Sequence, residues 1–289
     1  MHPAPSIILF TTLSGLGFGM LVFLGFDATP PTGWVAFVFF LIAYLLAVGG
    51  LVSSTFHLGH PERALKAFTQ WRSSWLSREG WAAVVALILM GLYGLGLVFF
   101  DARWSLLGVA GALASLATIV ATSMIYTQMK TVPRWNHWSP PVLFMGYALA
   151  GGALLTGRVS LVLWAFPILA FVQIFAWFDQ DRRERESTSD IGTATGLGNR
   201  GSVRAFESPH TGENYLTKEM VFRVGRKHAA TLKVISLALA FALPVLLLLL
   251  PFFHIVALLA VVSHIAGVLI QRWVFFAEAR HVVGLYYGR

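Results

Sequence analysis

The chain has 289 residues, of which 57% are hydrophobic and only 12% are charged. Soluble domains carry roughly a quarter of charged residues, so this composition excludes an ordinary soluble protein and indicates one that lies in a lipid bilayer. The absence of cysteine excludes an iron–sulfur cluster, a c-type haem or a disulfide bond within the chain. The net charge of +8 is better explained by orientation in the membrane than by nucleic-acid binding, because the basic residues fall between apolar runs.

Eight apolar runs are candidates for membrane spans, each of which needs about 20 residues. The first is interpreted as a retained helix, because it is too long for a signal peptide and no basic segment precedes it. Glycines within this first run favour close helix packing over nucleotide binding, because no strand–helix–strand context surrounds them. The fifth run is short and rich in glycine. The predicted spans are 7–26, 34–56, 81–100, 104–126, 141–156, 160–178, 231–250 and 252–276.

An even number of spans places both termini on one side of the membrane, together with the loops after spans two, four and six. Nearly all basic residues outside the spans belong to that side, whereas the opposite side offers only Arg103 and Arg158. By the positive-inside rule the basic side is cytoplasmic. The sequence therefore predicts an all-α polytopic membrane protein with eight transmembrane helices, both termini in the cytoplasm, and a single integral membrane domain, residues 1–289.

A long cytoplasmic insertion, residues 179–229, separates spans six and seven. It begins with a run of charges interpreted as a solvated stretch, followed by a Gly/Ser/Thr-rich linker. Its last part, residues 213–229, repeats apolar residues at helical spacing beside several basic ones. That pattern favours either a helix lying on the membrane surface or a docking strip for a partner, and the sequence leaves both open.

Three polar segments meet the membrane on the basic side at similar depth. The first follows span two and contains His57 and Arg63, the second leads into span three, with Ser77 as the predicted N-cap and Glu79 in the first helical turn, and the third begins at Tyr126. Together they suit a quinone head group, whose two-electron reaction also moves two protons. Histidine titrates near neutrality, a half-buried carboxyl group exchanges a proton, and a nearby cation stabilises negative charge on the reduced ring.

Each of these residues also has a simpler interpretation. His57 and Glu79 sit favourably for the dipoles of their helices, and Arg63 is typical of an anchor that meets lipid phosphates. His264 lies inside the eighth span, where an ionisable residue indicates function. Because no histidine at matching depth pairs with it for a b-type haem, His264 is interpreted as a hydrogen-bonded core group or part of a proton path.

Four segments carry a resemblance to a known family. They are HLGHPERA (57–64), LSREG (76–80), YTQMKTVPRW (126–135) and RWVFFAEARHVVG (272–284). In this order they resemble the DmsC/YnfH family, the membrane anchor subunits of dimethyl sulfoxide reductase-type molybdoenzymes. The resemblance runs through most of the chain and includes the count of eight helices.

The resemblance implies a three-subunit complex in the bacterial inner membrane. In it a molybdopterin catalytic subunit and a four-cluster iron–sulfur subunit join an anchor that has no redox centre of its own and exchanges electrons with a quinone, either ubiquinone or menaquinone. The family's quinol-site histidine and its acidic partner fall on His57 and Glu79, and the extrapolation extends to Arg63 and Tyr126. The anchor then provides the quinone site of an oxidoreductase without catalysing the substrate reaction.

This sequence also departs from the family pattern. Arg78 replaces a small polar residue before the glutamate, Gly80 follows it, and the insertion at 179–229 is long for a dimethyl sulfoxide reductase anchor. The insertion is closer to the anchors of cytoplasmic membrane-bound sulfite dehydrogenase, which favours a sulfite:quinone oxidoreductase. The alternatives are a dimethyl sulfoxide reductase anchor that oxidises menaquinol, a purely structural anchor, and a transporter.

Overall fold

The computed structural model contains helices and no strands in the residues that it describes, which are 1–57, 60–187, 189–207, 210, 212, 214, 216–220, 228–251 and 253–287. The side chains of His57, Pro61 and Glu219 lie outside that description. Two of the helices, α8 and α9, are joined through a π-helical turn, Ala238–Ala242, into one rod. The α-helices are α1 (Pro5–Phe26), α2 (Gly33–Ser53), α3 (Trp75–Phe99), α4 (Ser105–Thr127), α5 (Ser139–Leu155), α6 (Val159–Arg185), α7 (Ile191–Thr195), α8 (Ala229–Leu237), α9 (Leu243–Leu248) and α10 (His254–Ala277).

Each of the eight predicted spans corresponds to a helix or, for the seventh, to the α8–α9 rod. Seven of these segments are long and apolar enough to cross a membrane, whereas α5, with 17 residues, is shorter than the others. This confirms the prediction of an all-helical protein with several apolar membrane-spanning segments. The count of eight spans and the cytoplasmic orientation stay predictions.

Two helices extend beyond the predicted spans into polar sequence. Helix α3 begins at Trp75 with Ser74 as its N-cap residue, so the prediction of Ser77 as the N-cap and of Glu79 in the first turn was wrong. Helix α6 continues to Arg185, so the start of the insertion is helical, and most of its charged side chains are exposed as expected for a solvated stretch. Hydropathy marks where a chain is apolar, and it does not detect helical turns that continue into water.

Helix α1 lies at the centre of the bundle and packs against α2, α4, α5 and α10. A Cβ atom at Gly17 would overlap the backbone of α2 at Ala47, and one at Gly19 would overlap the carbonyl group of Ala148 on α5. These contacts confirm that glycines of α1 serve close helix packing, which small residues allow in membrane bundles.

One end of the bundle, called the charged rim here, carries the connections after α2, α4 and α6, residues 54–74, 128–138 and 186–228. The amino group of Met1 donates to the carbonyl oxygen of Ala279 at 2.5 Å. The backbone N–H of Val282 donates to the carbonyl oxygen of Thr131 at 3.0 Å. The N-terminus therefore meets the segment after α10 at this rim, and that segment meets the α4–α5 loop. At the opposite end Arg158 pairs with Asp27 at 2.7 Å.

A short helix in the described part of the insertion, α7, has an N-cap residue, Asp190, that forms a capping box with Thr193. This helix contacts the C-terminal segment, where the Tyr286 hydroxyl donates to the carbonyl oxygen of Ala194 at 2.9 Å. In the predicted surface helix, 213–229, only a π-helical turn at Leu216–Met220 is described before α8. Residues 213, 215 and 221–227 of that prediction lie outside the described residues.

Candidate functional site

Glu79 is the carboxyl group of the predicted site, and it lies inside the bundle near the charged rim. Its side chain is buried, and the residue is only 3% exposed. The hydroxyl group of Thr122 on α4 donates to Glu79 Oε1, and the same hydroxyl lies 3.0 Å from the carbonyl oxygen of Thr118. A hydroxyl has a single hydrogen, so Thr122 serves one of the two acceptors at a time.

Tyr126 follows Thr122 by one helical turn on α4, and its ring is buried in an aromatic cluster. Ring centroids of the four neighbours lie 5.3 to 5.6 Å away, at Trp135, Phe144, Phe275 and Phe276. Because Thr122 donates to Glu79, Tyr126 lies one turn along α4 from the hydrogen-bond donor of the carboxyl group, and it is surrounded by aromatic rings.

His57 and Arg63 lie on the connection between α2 and α3. His57 ends a 3₁₀ helix, Ser54–His57, that continues α2 and contacts α1, but its side chain lies outside the described residues. The Arg63 side chain is 61% exposed and lies 3.9 Å from the carboxylate of Glu62. The structure therefore brings Glu79 and Tyr126 together, and it leaves Arg63 at the surface in this conformation.

A second 3₁₀ helix, Pro61–Phe68, covers the start of α3. The indole N–H of Trp81 donates to the carbonyl oxygen of Phe68 at 3.0 Å, and the two rings meet edge to face. A Cβ atom at Gly80 would lie 3.0 Å from the Phe68 ring. The glycine after Glu79, a departure from the family pattern, thus leaves room for this ring to pack closely.

Arg272 on α10 is a candidate that the sequence analysis missed. It is 2% exposed, and its guanidinium carbon lies 3.8 Å from the ring centre of Phe144 and 5.3 Å from that of Tyr147. Within the described part of the chain, Nε and Nη1 of Arg272 have no hydrogen-bond partner. The signal was present in the sequence, because Arg272 falls inside the predicted span 252–276, where a charge indicates function as it did for His264.

A cavity of about 10 Å³ lies between α1, α4, α5 and α10. Its polar side chains are Thr11 and Ser14 on α1, Thr122 on α4 and Arg272 on α10. Thr122 therefore touches both this cavity and the Glu79 carboxyl group. The cavity therefore lies between Arg272 and the hydroxyl group that donates to Glu79.

Arg134, in the α4–α5 loop, forms a separate cluster at the charged rim. Its guanidinium group pairs with the carboxylates of Asp181 at 2.5 Å, Glu184 at 2.9 Å and Glu278 at 3.0 Å. Glu278 also pairs with Lys233 at 2.7 Å. Burial lowers the pKa of Arg134, but attraction to these three carboxylates more than offsets it, so the pKa is raised overall. The cluster joins the loop to α6, α8 and α10.

His264 is held by an irregularity in the α8–α9 rod. Pro244 has no backbone N–H, so it leaves the carbonyl oxygen of Ala240, four residues earlier, without its helical donor. Nδ1 of His264 lies 2.7 Å from that oxygen, and the imidazole ring stacks on Phe166 with centroids 4.7 Å apart. These contacts confirm that His264 lies within the eighth predicted span and is hydrogen-bonded there.

In the described part of the chain, no group of three or more His, Asp or Glu side chains is arranged to hold a metal ion. The polar groups near Glu79 instead offer hydrogen-bond donors and acceptors beside aromatic rings. Such surroundings suit a flat organic ring with oxygen substituents better than a cation.

Comparison with known proteins assigns the chain to a family. The sequence model described as "DMSO reductase anchor subunit (DmsC)" matches residues 1–288. A relative from Allochromatium vinosum, the sulfite dehydrogenase subunit designated C, is 32% identical over 327 aligned positions that cover 99% of each chain. No solved structure matches the chain. The resemblance inferred from the four sequence segments is thereby confirmed, and the chain belongs to the DMSO reductase anchor subunit (DmsC) family.

Proposed function

We propose that this chain is the quinone-reactive membrane anchor of a heterotrimeric molybdopterin oxidoreductase. In this proposal it exchanges electrons and protons between the membrane quinone pool and a partner subunit with four iron–sulfur clusters, which in turn serves a molybdopterin catalytic subunit. The observation that carries the proposal is the buried carboxyl group of Glu79 near the charged rim, with Thr122 as its hydrogen-bond donor and Tyr126 beside it.

The reaction assigns a role to each candidate residue. Reduction of a quinone takes two electrons from the partner's cluster and two protons, and oxidation of the quinol returns them. His57 and Glu79 exchange the protons, because both residue types titrate within reach of neutral pH when their surroundings are adjusted. Tyr126 orients the ring, and Arg63 stabilises negative charge on its oxygen atoms.

Binding of a ring at Glu79 requires a change from the conformation described here. The cavity that reaches Thr122 has a volume of about 10 Å³, whereas small-molecule sites typically have volumes of about 300–1,000 Å³. The 3₁₀ helix Pro61–Phe68 packs on the start of α3, where Phe68 accepts a hydrogen bond from Trp81 and lies close to Gly80. Displacement of this helix, which also carries Arg63, would open the site from the rim and bring Arg63 toward the ring.

The proposed membrane arrangement has eight spans in one integral domain, residues 1–289, in the bacterial inner membrane. Helix α5, at about 1.5 Å per residue, measures roughly 26 Å, which is slightly less than the hydrocarbon thickness of about 30 Å. The charged rim and both termini then face the cytoplasm, as the positive-inside rule requires. The partner subunits dock there, on the basic loops and the 179–229 insertion.

The proposed substrate reaction is oxidation of sulfite with transfer of electrons into quinone. The relative named as part of a sulfite dehydrogenase, which this chain matches along its whole length, supports this choice. Reduction of dimethyl sulfoxide with electrons from menaquinol is the alternative, supported by the family description. Purification of the complex through this chain, followed by assays with sulfite and with sulfoxides, separates the two.

The quinone role is tested with Glu79→Gln in the purified complex. We expect quinone-linked turnover to fall about 100-fold, the contribution typical of a positioned proton-transfer group, because the amide cannot exchange a proton. Turnover of the same complex with a water-soluble redox dye should stay unchanged, since it bypasses the anchor.

The matched control is Glu186→Gln, because Glu186 is an exposed carboxylate, 67% exposed, that follows α6 on the charged rim. Co-purification of the partner subunits checks assembly in each variant. Full quinone-linked turnover in an assembled Glu79→Gln complex would identify a purely mechanical anchor.

A further inference from the structure

The buried guanidinium group of Arg272 needs an acceptor that its protein neighbours do not provide. Its contacts are the faces of Phe144 and Tyr147, which attract the positive charge but leave Nε and Nη1 without a partner among the described residues. Buried donors without an acceptor are costly. These two N–H groups belong to a side chain that lines the cavity between α1, α4, α5 and α10.

The hydroxyl groups across this cavity already donate their hydrogens, so they offer acceptors rather than donors to the cavity. Thr11 donates to the carbonyl oxygen of Ile7 at 2.9 Å, and Ser14 donates to that of Phe10 at 2.6 Å. Thr122 donates to Glu79 or to Thr118. Each hydroxyl has thereby used its single hydrogen and keeps oxygen lone pairs that accept from a donor in the cavity.

We infer that the cavity is a binding site for one ordered water molecule, which links Arg272 to Glu79. The water accepts from the guanidinium group and donates to Thr122, and Thr122 donates to the carboxylate, so all hydrogen bonds of the chain run in one direction. The volume of about 10 Å³ is close to the minimum of roughly 10–15 Å³ that a single water requires. Water has two hydrogens, so it also supplies Ser14 or Thr11.

The consequence for Glu79 is that its negative charge is coupled to a buried positive charge on another helix. Hydrogen bonds aligned in this way polarise one another, and they favour the ionised carboxylate at their end. Among the described side chains, the other charged groups on the neighbouring elements bond elsewhere or are exposed. Arg78 donates to the backbone of Trp71 and Arg72, and the exposed residues of the covering 3₁₀ helix include Glu62, Arg63 and Lys66. Tyr44, on α2, donates to the carbonyl oxygen of Leu87.

The link is tested first through Thr122→Val, which keeps the shape and removes the hydroxyl. The control is Thr118→Val, the same change one turn earlier, where the buried hydroxyl donates only to the carbonyl oxygen of Ala114 at 2.9 Å. The readout is the infrared carboxyl band of the assembled complex that disappears in Glu79→Gln. We expect this band to shift in Thr122→Val and to stay in place in Thr118→Val.

The charge is tested with Arg272→Met and Arg272→Lys. Without the cation the ionised carboxylate is less stable, so Glu79 keeps its proton to higher pH. We expect the pH midpoint at which the Glu79 infrared band disappears to rise in Arg272→Met by less than the roughly one unit that a close opposite charge gives, because Thr122 and the water separate the two charges. A smaller rise is expected in Arg272→Lys. If Arg272→Met does not assemble, Arg272→Lys and Thr122→Val decide the question.

The functional meaning of this link rests on the proposed quinone site, but the two ideas fail separately. If Glu79→Gln keeps its quinone-linked turnover while the infrared band still responds to Thr122→Val and Arg272→Met, the quinone role fails and the water-mediated link stands. If Glu79→Gln loses turnover but both variants match Thr118→Val in band position and pH midpoint, the water-mediated link is overturned.

An experimental structure of the complex that resolves ordered water molecules should show one between Arg272 and Thr122. A cavity closed by direct contact of these two side chains would also overturn the link.

Discussion

Arg134 and Arg272 are both nearly inaccessible, at 5% and 2% exposure, but the protein compensates their charges in different ways. Arg134 lies at the charged rim, where Asp181, Glu184 and Glu278 pair with it directly. Arg272 lies inside the bundle, where its described contacts are aromatic rings and a small cavity.

The difference shows what each location permits. At the rim the carboxylates are partly hydrated, so the cost of gathering charges is moderate and ion pairs hold the α4–α5 loop against α6 and α10. Deep in an apolar bundle every charge is expensive, so charges there are few and mark function. We therefore expect Arg134 to matter mainly for stability and Arg272 mainly for the chemistry of Glu79.

The largest expected effect on stability is that of Arg134→Met. It leaves three carboxylates close together without their shared cation, and removal of one partner from a buried ion pair costs about 3 kcal/mol. In Arg272→Met no paired carboxylate is left behind, so we expect a loss of about 1 kcal/mol, comparable to a cation–π contact. Thermal unfolding of both variants in the same detergent measures the difference.

Arg134→Lys is the control for this contrast, because it keeps the charge and should recover part of the lost stability. Equal unfolding temperatures for Arg134→Met and Arg272→Met would show that the two sites do not differ as described.

A smaller effect concerns pH at the charged rim. Nε2 of His137 lies 3.0 Å from Asp179. Burial lowers the pKa of His137, and the contact with Asp179 raises it by a smaller amount. The pKa of His137 therefore lies below the ordinary value of 6.5. The unfolded chain then binds more protons than the folded one in this window. The stability contribution of His137 is therefore complete above about pH 6.5 and is lost as the pH falls through the lowered pKa.

His137→Gln should flatten the dependence of the unfolding temperature on pH between about pH 8 and about pH 5. A remaining slope is expected from His281, whose pKa is lowered by burial and by the charged N-terminus. An unchanged slope in His137→Gln would contradict the assignment.

The smallest effect is expected for Arg280→Gln. Arg280 pairs with Glu184 at 3.0 Å, but its side chain is 64% exposed. Exposed ion pairs contribute little, so the free energy of unfolding should change by less than about 0.5 kcal/mol. A loss as large as that of Arg134→Met would mean that the whole cluster, rather than its buried centre, holds the rim together.

Sequence reasoning located the apolar helices and named the candidate site residues, and its errors have definite causes. Glu79 and Tyr126 were chosen from polar segments at the membrane boundary, and the fold brings them together. The start of α3 at Trp75 and the end of α6 at Arg185 were missed, because hydropathy follows apolar composition and not helical hydrogen bonding. Arg272 was missed although a charge inside a span was already recognised as a signal for His264.

The sequence by itself determined that this chain crosses a membrane, where the apolar part of each long helix lies and which family the chain belongs to. Those properties follow from local composition and short motifs, since about 20 apolar residues in a row suffice to favour a helix in lipid. Only the tertiary structure decided which polar groups face each other. Thr122 meets Glu79, and Arg272 lies across a cavity from Thr122, because α3, α4 and α10 pack around α1. Such contacts join residues far apart in the chain, and no local pattern records them.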